Sequence, residues 1–146
     1  MRTRSVALTI VAVSVGVFFV LSVGAASGTA RATSKRVTPR IMTCAGKTVY
    51  EPKNYVIACA DANSLLVNIH WTSWTPTSAS ALATYSANDC TPNCAAGKFH
   101  SYSARASFSG TKRTKYGPLY SRLKVSYAIG SKVHSFSTIL PLRPLA

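Results

Sequence analysis

Leu123-Lys124-Val125-Ser126-Tyr127-Ala128-Ile129-Gly130-Ser131, with 133–140 behind it, decides the fold. Leu123, Val125, Tyr127 and Ile129 fall on every second position, and Arg122, Lys124, Ser126 and Ala128 fill the gaps. Successive side chains of a strand point to opposite faces, so this period of two predicts a strand with one apolar face. Gly130-Ser131 then separates it from a second run of the same kind. A two-residue gap led by glycine predicts a hairpin, because glycine supplies a positive φ without steric cost.

Working outward, the same period recurs. Tyr102, Ala104, Ala106 and Phe108 alternate with Ser101, Ser103, Arg105 and Ser107. Leu65, Val67, Ile69 and Trp71 alternate with Leu66, Asn68, His70 and Thr72, which predicts an apolar face on the first set. Shorter strands are expected over 55–60 and 82–85. Pro141 and Pro144 stop the last strand, since proline cannot donate to a ladder. No helix of useful length is legible. Several short strands separated by turns predict an all-β chain, a single antiparallel β-sandwich or small barrel with two disulfides, over 43–146.

The other end of the chain sets the compartment. Arg2 and Arg4 precede an uncharged apolar run over 6–23, and Gly24-Ala25-Ala26-Ser27-Gly28-Thr29-Ala30 follows. Charge, apolar stretch and small-residue exit are the parts of a secretory signal peptide. We assign it to 1–30, with cleavage between 26 and 32, and a flexible basic tether to 31–42. The competing reading is an uncleaved single-pass anchor, for which roughly 20 apolar residues suffice. Arg31, Lys35, Arg36 and Arg40 would then lie outside, against the positive-inside tendency. A membrane is therefore a partner only where the signal stays attached.

An exported chain gives its cysteines and charge a particular meaning. Cys44, Cys59, Cys90 and Cys94 are an even set, and four cysteines allow three connectivities. Cys44–Cys59 with Cys90–Cys94 is the expected pairing, because Cys90-Thr91-Pro92-Asn93-Cys94 is a turn sequence able to close a tight ring. There is no C-x-x-C pair and no two histidines at ligand spacing, so neither a metal nor a cofactor is expected. Seventeen Lys and Arg stand against three carboxylates, a formal net charge of +14. Losing 1–32 would leave 114 residues at +11. Inside a cell such a balance points to nucleic acid. Outside one it points to anionic wall polymers or glycans, or simply to solubility beside a negative envelope.

Two motifs carry a resemblance. Ala58-Cys59-Ala60-Asp61-Ala62-Asn63, with Leu65, Trp71 and Trp74, is one; Asn88-Asp89-Cys90-Thr91-Pro92-Asn93-Cys94-Ala95-Ala96-Gly97 is the other. Together they resemble a large group of small secreted proteins of actinobacteria, mostly uncharacterised, over roughly 43–108. The resemblance implies compartment and fold, and no activity. In that group a glycine often stands where this chain has Ala62, and another where it has Thr75. A weaker likeness, to secreted subtilisin-inhibitor-like proteins, rests on the step from Cys44 to Cys59 and the Ala-Cys-Ala-Asp string. No matching inhibitory loop accompanies it.

The chemistry-bearing residues narrow the function. Glu51, Asp61 and Asp89 are the only carboxylates, which restricts paired-carboxylate catalysis. Asp61 and Asp89 read as turn residues. His70, His100 and His134 have no elbow or partner motif beside them. Trp71 belongs to a core face, and Trp74, before Pro76, is the candidate exposed ring for stacking on a ligand. Lys112-Arg113-Thr114-Lys115 reads as a basic loop, and Arg105, Arg122 and Lys124 sit on the outward faces of neighbouring strands. If those strands pair, Arg105, Lys112, Arg113, Lys115, Arg122 and Lys124 form one patch for anionic ligands. A solvated face that blunts a sheet edge is the plainer account. The reading is an exported, non-catalytic β domain able to bind anionic envelope polymers. The alternative is a small secreted hydrolase or protease inhibitor.

Overall fold

Ten strands follow one another through residues 37–145, which the structure, a computed structural model, describes. They are β1 (Ile41–Met42), β2 (Thr48–Val49), β3 (Tyr55–Val56), β4 (Ser64–Trp74), β5 (Ser78–Asn88), β6 (Phe99–Ser109), β7 (Lys112–Thr114), β8 (Gly117–Leu119), β9 (Arg122–Ile129) and β10 (Lys132–Ile139). No helix occurs among the described residues. The expected signal peptide lies outside them.

Six strands build one antiparallel sheet in the order β10-β9-β6-β5-β4-β3. The β9–β10 hairpin turns at Gly130-Ser131 as expected, with Ile129 opposite Lys132 and Gly130 at φ +58. The second layer is much smaller. It consists of the β1–β2 ribbon and the β7–β8 ribbon, joined by a parallel bridge between Arg40 and Leu119. Between the layers lie Ile41, Leu66, Ile69, Ala79, Ala81, Phe108, Tyr120, Leu123 and Val125. Full burial of each large apolar side chain there stabilises the fold by roughly 1.5–3 kcal/mol.

The alternation read from 102–108 and 123–129 holds at its centre: Ala104, Ala106 and Phe108 and then Leu123 and Val125 are buried, while Tyr102 and Tyr127 are half-buried and Ile129, at the hairpin end, is exposed. That of β4 does not. Leu66, Ile69, Trp71 and Trp74 form its inward face, not Leu65, Val67, Ile69 and Trp71. Register shifts between Val67 and His70 and between Trp71 and Ser73 account for the change. The first is a bulge at Asn68, whose φ is +52 and whose N–H donates to the Asn54 side chain at 3.2 Å. Each bulge inserts one residue and exchanges the faces beyond it.

Two further expectations are corrected. The tether ends before 42: Pro39 is buried, the Arg40 N–H donates to the Pro118 carbonyl, and Ile41 and Met42 are fully buried in β1. The basic stretch 112–115 is not a loop, because Lys112–Thr114 is a strand pairing with β8, where Arg113 faces Pro118.

Both disulfides have the expected partners, Cys44 with Cys59 and Cys90 with Cys94. The first ties the β1–β2 turn to the segment after β3, and so fastens the small layer to the edge of the large one. The second closes the β5–β6 connection. Disulfides persist in oxidising compartments, and all four cysteines are used in this way.

Candidate functional site

The pairing of β6 with β9 is what gathers the cations. Arg105 lies opposite Ser126, Ser107 opposite Lys124 and Ser109 opposite Arg122. Directly opposed residues share a face, and Ala106 and Phe108 point into the core, so Arg105, Lys124 and Arg122 project together from the outward side. Arg105 and Lys124 are diagonal neighbours, roughly 7–8 Å apart and somewhat closer at Cβ. Arg122 and Lys124 are two residues apart on one strand, a rise of about 7 Å. All three are exposed.

Their surroundings are hydroxyl-rich. Ser78, Ser80, Ser107 and Ser109 come from β5 and β6, Ser126 from β9, and Ser135 and Ser137 from β10. An open trough of about 750 Å³ runs between Ser107, Ser109, Arg122, Lys124, Ser137 and Ile139. A second, of about 320 Å³, lies on the other side of Lys124 and reaches Arg105, Ser80 and Thr72. Lys124 thus borders both. His70, opposite Leu82, is outward on this face as expected.

Lys112, Arg113 and Lys115 do not join this patch. They are exposed on the β7–β8 ribbon, in the small layer that covers the opposite face of the sheet. The Lys115 ammonium lies 5.2 Å from the Tyr116 ring centroid. One expected patch of six cations is therefore two groups of three, separated by the core.

Trp74 is packed rather than presented. Its indole N–H donates to the Pro39 carbonyl at 2.8 Å, and its ring meets Tyr50 at 4.8 Å, Trp71 at 4.5 Å and Tyr120 at 5.5 Å. The Trp71 N–H is likewise used, by the Pro52 carbonyl at 3.0 Å. Three residues apart on a regular strand, these two rings would face opposite ways; the bulge before Ser73 puts them side by side.

The two motifs also meet. The Asn88 amide donates to the Asn63 side-chain oxygen at 3.0 Å and to the Cys94 carbonyl at 2.8 Å, while its own oxygen accepts from the Cys90 N–H at 2.9 Å. Asp61 accepts from the Asn63 N–H at 3.1 Å, the turn role expected of it. Ala62 has φ +55, which explains physically why glycine suits that position. Thr75 needs no glycine: its hydroxyl accepts from the Ser78 N–H at 3.0 Å and closes the β4–β5 turn.

Sequence reasoning missed a contact between Asp89 and His100, whose Nε2 lies 2.8 Å from the carboxylate. The Lys98 N–H, the His100 ring and the Thr91 N–H together hold the Asp89 carboxyl down, to about 2. Asp89 comes just after β5 and His100 near the start of β6, so only the pairing of those strands brings them together. With its hydrogen bonds spent on the turn, Asp89 braces the disulfide loop. Burial in turn pushes the Tyr55 phenol well above its ordinary value, and its O–H donates to the Met42 carbonyl at 3.0 Å.

Comparison with protein-family models, with curated proteins and with solved structures finds nothing that matches this chain.

Proposed function

We infer that this is an exported, non-catalytic β domain that holds anionic polymers of the cell envelope against the outward face of its six-stranded sheet. Arg105, Arg122 and Lys124 supply the charge, and the serine rows beside them supply hydroxyl donors for phosphate or carboxylate oxygens. The observation that supports this most is that the β6–β9 register collects three exposed cations on a face with no carboxylate opposite or diagonal to any of them. Like charges gathered without a counter-charge repel one another, and a bound polyanion relieves that repulsion. Open troughs in place of a deep cleft suit a chain that lies across strands better than an enclosed small molecule.

Binding of the protein to purified envelope polyanion, and to inorganic polyphosphate, tests the reading. Carrying over the counterion-release slope of about −0.7 per contact for flexible single strands, three contacts predict roughly 20-fold weaker binding between 50 and 200 mM salt. Lys124→Glu combined with Arg122→Glu should abolish retention at low salt. Retention that survives this charge reversal, or that ignores salt, refutes the outward face as the site.

A further inference from the structure

The inward face of the large sheet carries two aromatic groups, and the second is the less deeply buried. Trp71, Trp74, Phe108 and Tyr120 lie in successive contact beneath the two ribbons, with ring centroids 4.5–6.5 Å apart. At the other end of the same face stand Tyr85, Tyr102, Tyr127, Phe136 and His134. Tyr127 is the hub, 4.8 Å from Tyr85, 5.3 Å from Tyr102 and 5.6 Å from His134. Tyr85 forms the floor at 9% exposure; Tyr102, Tyr127 and Phe136 are half-buried, and His134 is exposed. The ribbons are only two or three residues long per strand.

This second group is not merely apolar. Among the described residues neither the Tyr102 nor the Tyr127 hydroxyl has a hydrogen-bond partner, while the Tyr85 hydroxyl accepts from Ser64 at 3.3 Å. One fixed cation, Lys132, borders the group. Lys132 lies opposite Ile129 and His134 opposite Tyr127, so both share the face of the rings. His100, two residues before Tyr102 on β6, shares it too. The only carboxylate nearby, Asp89, is engaged by two backbone N–H groups and the His100 ring.

The geometry points to a second binding site here, one for acidic sugars: pyranose rings carrying carboxylates, as in a uronic acid polymer. A sugar ring offers a C–H face that packs on Tyr127 and Tyr102, and hydroxyls that meet their phenol groups. Its carboxylate is complementary to Lys132, and the exposed His134 ring offers it a hydrogen-bonding partner. A bare polyphosphate has the charge and lacks the ring, and a neutral glucan has the ring and lacks the charge. This shelf and the outward cationic face lie on opposite sides of one sheet, so either stands if the other falls.

Titration calorimetry with hexagalacturonate, cellohexaose and hexapolyphosphate separates them. Hexagalacturonate should bind, with about a tenfold loss on Tyr102→Ala combined with Tyr127→Ala, by the size of ring-stacking energies. Tyr127→Phe should retain the ring and most of the affinity, and His134→Ala, at an exposed position, should weaken binding without disturbing the fold. Hexapolyphosphate binding should be untouched by these changes and lost in the Lys124→Glu, Arg122→Glu protein. Should the double alanine variant fail to fold, the Tyr127 ring proton signals of the unaltered protein report instead, and must shift as hexagalacturonate is added. Absence of hexagalacturonate binding, unchanged affinity in a folded double variant, or ring signals that stay put would overturn the site. Equal affinity for cellohexaose would overturn its preference for acids.

Discussion

Gly97 sits so close to its neighbours that replacing it with alanine should be among the most damaging changes outside the core. A Cβ there would meet the Asn88 side-chain oxygen at 2.1 Å, the Cys90 nitrogen at 2.8 Å and the Cys90 Cα at 2.9 Å. The first clash is relieved only if the Asn88 side chain swings away. That would give up its bonds to the Cys90 N–H, the Cys94 carbonyl and Asn63, each contributing about 1 kcal/mol. The Cys90 backbone is held by its disulfide and yields little, so the total reaches about 3 kcal/mol. For a domain of this size such a loss lowers the melting temperature by roughly 12 °C. Thermal denaturation followed by circular dichroism measures it, with Asn88→Ala and the double variant alongside. Because the Asn88 oxygen is the nearest obstacle, the double variant should be less destabilised than the sum of the two singles, by about 1 kcal/mol or more. Strict additivity, or a Gly97→Ala protein melting within 2 °C of the parent, would refute the reasoning.

Two other perturbations follow from backbone and charge. Ala62→Gly removes a left-handed alanine, worth about 1–2 kcal/mol, at an unfolded-state cost of about 0.4–1 kcal/mol, so denaturant unfolding should show a net gain near 0.5–1 kcal/mol. A loss in its place would mean that the turn prefers a side chain there. Asp89 has its carboxyl depressed from 3.8 to about 2, so its contribution is fully present above about pH 4 and disappears as pH falls from there towards 2. Acid titration of stability should therefore lose a sloping segment in that window in Asp89→Asn, while an unchanged slope would show that the carboxylate plays no part.

Much of the fold was legible in the order of residues. The period of two at 102–108 and 123–129, together with the glycine turn at 130, gave the central and outer strands and their faces. Such strands lie in regular ladders, where alternation translates directly into in and out. β4 was misread at Leu65 and Val67 because bulges leave no mark on an apolar run; Asn68 and Thr72 are polar residues that a regular strand could equally turn outward. Trp74 was misjudged for the same reason. The two motifs at 58–63 and 88–97 were recognisable, but the contact that unites them, Asn63 with Asn88, spans 25 residues and needed the β4–β5 pairing.

The candidate sites divide along a similar line. Arg105, Arg122 and Lys124 were assignable to outward positions from alternation, and only the β6–β9 register made them neighbours. Lys112, Arg113 and Lys115 were assigned to the same patch on the expectation that pairing of the flanking strands would bring their loop beside Arg105, Arg122 and Lys124. The ribbon that carries them folds under the sheet, placing the core between the two groups. The aromatic shelf was unreadable, since Tyr102, Tyr127 and Phe136 occupy positions that look like any core face. Whether such a face is covered depends on how far the second layer extends.

By itself, then, the sequence determined an all-β chain, the strands at 102–108 and 123–129, its glycine hairpin and the partners of its four cysteines. These are local matters: side-chain alternation, turn chemistry and short loops act over a few residues. β5, by contrast, was legible only over 82–85 and runs from Ser78 to Asn88. Tertiary structure alone decided which cations share a surface, which partners the tryptophans pack on, and how deeply each aromatic ring is buried. Those depend on strand order, register and bulges, where a shift of one residue reverses a face and no short stretch of chain records the partner it will meet.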